Sequence, residues 1–142
     1  MIKNERQYAV TRDEICRFEQ ALREMQGRGA EGTSARLRKA REDALGSQVD
    51  DLRAEVAEYE ALRAGRAPRP PASFSDVARF LIQTRISRGW THQEFARHCG
   101  LKEQQIQRYE ANDYQQASLA RICELAAALG VDLPAAEDAA AQ

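Results

Sequence analysis

The chain has 142 residues, 43% hydrophobic, 6% aromatic and 30% charged, with a formal net charge of −1. That length suits one ordinary domain or two small ones, with apolar residues enough for a core but not for a large aromatic-lined pocket. No apolar run approaches the roughly 18 residues of a membrane span, and residues 1–6 lack the apolar stretch of a secretory signal, so a soluble cytoplasmic chain without membrane contact is expected.

Ala, Leu, Arg, Glu and Gln dominate, while Gly and Pro are sparse, with 8 and 4 positions. These are the strong helix formers, and the predicted class is all-α.

Residues 4–10 read as a short extended lead. Thr11-Arg12-Asp13-Glu14 then has the form of a capping box, which predicts a helix over about 12–25. Its apolar stripe is Ile15, Phe18, Leu22 and Met25. Gly27, Gly29 and Gly32 end it in a short connection. A second helix of roughly 30 residues follows from Ser34 to about Ala64. In it Leu45, Val49, Leu52, Val56 and Tyr59 recur in steps of 4, 3, 4 and 3, a heptad seam. Such a stripe must be covered, either by the first helix or by a second copy or another protein, and these can coexist. A helical hairpin or coiled-coil segment, serving dimerisation or partner binding, is therefore expected over 1–64.

Pro68, Pro70 and Pro71 break the pattern and make a stiff, extended linker over 65–73. Beyond it, residues 74–134 read as four or five short helices. Ser75-Asp76 caps the first, which runs to about Ser87 and is ended by Gly89. Thr91 caps the second, ended by Gly100. The third spans about 102–111, and Ser118 caps a fourth that ends at Gly130. Short helices joined by turns of three or four residues suggest a helix-turn-helix arrangement. Residues 135–142 are expected to form a flexible tail.

Catalytic chemistry has little support. The chain lacks GxSxG, HExxH and a Gly-rich phosphate loop. Cys16, Cys99 and Cys123 are far apart and fall into no metal-ligand spacing with His92 and His98. No enzyme activity, metal or cofactor is expected, and the cysteines read as buried free thiols. Charge is more informative. Eighteen of the 21 basic residues are Arg, the side chain suited to bidentate contacts with phosphate or guanine. Seven basic residues stand against four acidic ones between Arg79 and Arg121.

The stretch from Arg85 to Glu110 carries the strongest pattern. Phe95, Ala96 and Cys99 form the inner face of the second helix, with Ala96 small where the third helix crosses. Gly100 sits where the turn requires positive φ. Leu101 and Ile106 anchor the following helix and Tyr109 closes the core. Lys102, Glu103, Gln104, Gln107 and Arg108 are left as a polar outer face.

This segment resembles the Cro/CI-type, or XRE-family, helix-turn-helix domains of phage repressors and bacterial regulators. The resemblance covers about 74–133 and implies a four- to five-helix, lambda-repressor-like fold that binds double-stranded DNA. It implies a buried salt bridge between Arg85 and Glu110, and phosphate contacts near Thr91, His92 and Gln93 at a helix start. Base-reading positions fall on Lys102, Glu103, Gln104 and Arg108, with Gln107 adjacent. Gln suits adenine, Arg or Lys guanine, and Glu the cytosine amino group. The family commonly has Gln where His92 stands, and Asn-Gly where this chain has Ala111-Asn112. Asn112 can still take the left-handed turn conformation, but Ala111 cannot donate a side-chain hydrogen bond to phosphate. Trp90 is expected to cap the core, and His98 to lie on the surface.

Two half-sites imply a homodimer, formed through the seam or through Leu119, Ile122, Leu125 and Leu129. The order of helical hairpin, Pro-rich linker and DNA-binding domain also resembles HigA-like antitoxins. That implies a repressor of its own operon, on a palindromic operator, that binds a small toxin. A stand-alone regulator without a toxin, or a helical interaction adaptor, is the alternative.

Overall fold

A computed structural model describes residues 1–28 and 34–133. Gly29, Gly32 and the tail at 135–142 lie outside the described residues. The described residues contain helices and no strands, which is the all-α class. They fall into two compact units that divide inside a helix between Glu60 and Ala61.

The first unit is a pair of helices, α1 (Glu5–Gly27) and most of α2 (Ala35–Arg63). Helix α1 starts seven residues earlier than the sequence reading places it. Residues 5–10 are helical rather than extended, and Thr11 lies inside the helix instead of capping it. The cap is Asn4, whose Oδ1 accepts from the Gln7 amide at 2.9 Å, while Gln7 Oε1 accepts from the Lys3 amide at 2.8 Å. Asn is at least as good a cap as Thr, and Tyr8 continues the stripe one heptad before Ile15. Both favour the earlier start. Ser34 Oγ accepts from the Leu37 amide at the start of α2.

Val49 and Tyr59 are buried, and Leu45, Leu52 and Val56 half-buried. Facing them on α1, Tyr8, Ile15, Phe18, Leu22 and Met25 are all half-buried. The Tyr8 and Tyr59 rings lie 5.3 Å apart. Tyr59 Oη donates to Glu5 at 3.1 Å and Tyr8 Oη to Glu60 at 2.5 Å. Arg53 pairs with Glu19, and the amino terminus with Glu55 at 3.2 Å. Early α1 meets late α2, the order of an antiparallel hairpin. The seam residues are thus covered in large part within one chain.

The second unit holds the other helices. A 3-10 turn (Phe74–Asp76) leads into α3 (Val77–Ser87), followed by α4 (His92–Cys99), α5 (Glu103–Ala111) and α6 (Leu119–Ala128). Asp76 makes no side-chain cap bond; Ser73 Oγ instead donates to Asp76 Oδ2 at 2.9 Å, ahead of the expected Ser75. The core is Val77, Leu81, Ile82, Ile86, Phe95, Ala96, Ile106, Tyr114, Ile122, Leu125 and Leu129. Three of the four residues considered for a dimer contact along α6 and at its C-cap, Ile122, Leu125 and Leu129, are therefore spent on this core, and only Leu119 is exposed. Tyr114 does what was expected of Tyr109. It is buried, while Tyr109 is half-buried with its ring 6.0 Å away.

Cys16 and Cys123 are exposed and Cys99 half-buried, so two of the three thiols are not in a core. Burial pushes the Cys99 thiol up to about 11, which keeps it protonated. No helix among the described residues is long and apolar enough to cross a membrane.

Candidate nucleic-acid interface

Helices α4 and α5 form a short, tightly joined pair. Thr91 begins α4 with a reciprocal cap: its Oγ1 accepts from the Glu94 amide at 3.1 Å, and Glu94 Oε2 accepts from the Thr91 amide at 2.7 Å. These bonds satisfy amides that would otherwise face outward without a partner, and they hold the Glu94 carboxyl below the usual carboxylate range. Phe95 and Ala96 are buried one turn later.

Gly100 closes α4 at φ 66° and ψ 29°, in the left-handed region. Its amide donates to the Arg97 carbonyl and that of Leu101 to the Ala96 carbonyl, the double bond of a Schellman stop. Lys102 has extended backbone, and its amide donates to Gln105 Oε1 at 3.0 Å. Helix α5 buries Ile106 and Glu110 and little else.

Every other candidate position on α5 faces solvent. Lys102, Glu103, Gln104, Gln107 and Arg108 are exposed, as are Thr91 and Gln93 at the start of α4. Gln107 Nε2 donates to Glu103 Oε1 at 2.9 Å one turn away. Glu103 therefore orients a neighbouring amide, whereas Gln104 and Arg108, also one turn apart, form a second exposed pair.

The end of α5 departs from expectation. Asn112 has φ −109°, not left-handed. The positive φ falls on Asp113 (53°) and Tyr114 (60°). The Asp113 amide donates to the Glu110 carbonyl and the Tyr114 amide to that of Tyr109. This is the same stop seen at Gly100, moved one residue along and built on Asp. Asp tolerates the left-handed region better than most residues, and the shift lets Tyr114 turn back into the core.

Behind the exposed face lies a buried ion cluster. Arg85 Nε donates to Glu110 Oε1 at 2.6 Å and Nη2 to Oε2 at 2.8 Å. Arg85 Nη1 donates to the Trp90 carbonyl at 2.7 Å. Burial pushes the Glu110 carboxyl up, but the hydrogen bonds from His92 and Arg85, with the Arg85 charge, outweigh it and hold the carboxyl low. His92 accounts for the third bond, with Nε2 2.8 Å from Glu110 Oε2. The His92 ring is thus turned inward onto Glu110, which presents a second oxygen beneath the start of α4. Its backbone remains at the helix start.

Trp90 is half-buried, its ring 6.3 Å from Phe95, 4.0 Å from His98 in a stack, and 5.5 Å from the Arg88 guanidinium. His98 is exposed. Among the described residues no three His, Cys, Asp or Glu side chains group to hold a metal ion.

Residues 81–135 match a family model described as helix-turn-helix. The match runs from within α3 through α6 and supports a DNA-binding helix-turn-helix unit. No curated protein and no solved structure matches the chain.

Proposed function

We propose that the chain is a sequence-specific transcriptional repressor that lays α5 in the major groove of a palindromic operator and binds as a homodimer. One observation carries this reading. Lys102, Gln104, Gln107 and Arg108 stand exposed on a helix whose other side is anchored by Ile106 and Glu110. In this reading Gln104 and Arg108 contact base edges, Lys102 a backbone phosphate, and the start of α4 at Thr91 and Gln93 a second phosphate. Glu103 acts mainly by holding Gln107 in place. One domain makes few contacts, so useful affinity calls for two half-sites.

The finer reading is that the protein represses its own operon as the antitoxin of a type II toxin–antitoxin pair. It is supported by the helical hairpin being a compact unit of its own, separate from the unit that carries α5. A stand-alone regulator would use the hairpin for assembly alone. A small toxin encoded beside the gene and retained by the purified hairpin separates the two.

The test is binding of the purified full chain to its own upstream DNA, by fluorescence anisotropy across a salt series. Affinity for an inverted repeat well above that for scrambled DNA, with log K falling linearly in log salt, is expected. Arg108→Ala is expected to weaken specific binding by about 1–3 kcal/mol and relax selectivity at one base pair. An equal loss on every sequence would make Arg108 a phosphate contact, and no preference over scrambled DNA would defeat the reading.

A further inference from the structure

We infer that His92 is a positioning residue for the outward face of α5, acting through the carboxylate of Glu110. The inference rests on the DNA-binding reading above. It begins from where the contact sits. His92 is the first residue of α4 and Glu110 the last buried residue of α5. The contact is 2.8 Å long, and the side chains are 13% and 2% exposed. At the opposite end the same two helices are joined through the Gly100 turn. A helix pair tied at one end can swing about the tie; tied at both, its crossing angle is fixed. The start of α4 and the face of α5 must meet one duplex together, so that angle is what binding requires.

A carboxylate only accepts hydrogen bonds, so the proton lies on Nε2 of His92. Any side chain that donates from the same place can make the same tie. The groups facing it are Glu110 from α5 and Arg85 from α3, which grips the same carboxylate. The charges that α6 presents to α4, Arg121 and Glu124, face Cys99 at its far end. Within α4, Glu94 is bonded to Thr91. His98, the only other histidine of the chain, stacks on Trp90.

His92→Gln keeps a neutral donor at the same position, His92→Ala removes the donor, and His98→Gln is the control. Each full-length protein is assayed for affinity to the upstream DNA by anisotropy. Its urea midpoint without DNA is read from Trp90 fluorescence. His92→Gln is expected to bind like the parent, and His92→Ala roughly three- to tenfold more weakly, the net scale of one hydrogen bond. His98→Gln is expected to follow the parent in both readouts. A His92→Ala protein that binds as tightly as the parent, or a His92→Gln protein that binds as weakly as His92→Ala, overturns the inference. If no protein binds the DNA specifically while His92→Ala alone lowers the urea midpoint, the tie between α4 and α5 stands and the DNA-binding reading falls.

Discussion

Replacing Glu110 by Gln changes one atom and should cost more than any other single isosteric substitution in the second unit. The Arg85 and Glu110 side chains are 5% and 2% exposed. The carboxylate accepts from Arg85 twice and from His92 once, at 2.6 to 2.8 Å. Gln supplies one acceptor and turns its NH2 toward donors, leaving the Arg85 charge buried without a counter-ion. Breaking such a pair costs about 3–5 kcal/mol, a large share of the roughly 5–15 kcal/mol that holds a domain folded. With a urea slope of about 2 kcal/mol/M the midpoint should fall by about 2 M at unchanged slope. Trp90 is the only tryptophan of the chain and its carbonyl takes the third Arg85 bond, so its fluorescence reports on this unit.

Because the Glu110 carboxyl is held low in the folded state, its contribution is full above its ordinary range near 4.5 and is lost as pH falls through the lowered folded value. Glu110→Gln should lack that acid-side loss. Removing both partners, as Arg85→Met with Glu110→Leu, should restore stability to about that of the parent or above. A single substitution that costs under about 0.5 kcal/mol, the range of ordinary surface changes, would refute the reasoning, as would a double variant less stable than the single.

Gly100→Ala should destabilise by about 1–2 kcal/mol in the same urea experiment. No neighbouring heavy atom lies within 4 Å of an added Cβ there, so the cost is conformational, and Gly100→Asn should recover part of it. Thr91→Ala, which removes the acceptor for the Glu94 amide, should cost about 1 kcal/mol, and Thr91→Ser much less.

The second unit was legible because each helix carries its own signals beside it. Thr91 and Gly100 bracket α4, and Ser118, whose Oγ accepts from the Arg121 amide, begins α6. The start of α1 was harder, since Asn4 and Thr11 both head acceptable caps and only the phase of Tyr8 against Ile15 separates them. Tyr114 follows a turn and belongs to no periodic stripe. Its burial depends on two consecutive left-handed residues, which an Asn-Asp-Tyr string does not announce. The inward turn of His92 needs the position of Glu110, 18 residues later, and no local pattern encodes that distance. The exposed face of α5 was the part most open to reading, because a polar residue at a non-core phase has nowhere else to go.

Helix α5 buries only Ile106 and Glu110. Its stability is therefore invested in two positions and its outward chemistry in others, with no residue asked to serve both. Exchanges at Gln104, Gln107 or Arg108 fall in the class that usually shifts folding by no more than about 0.5 kcal/mol. The lineage of this domain could thus exchange its outward letters one at a time without passing through unfolded intermediates. If α5 reads DNA as proposed, divergence of what it recognises is then limited by the fitness of each new contact, and hardly at all by the survival of the fold.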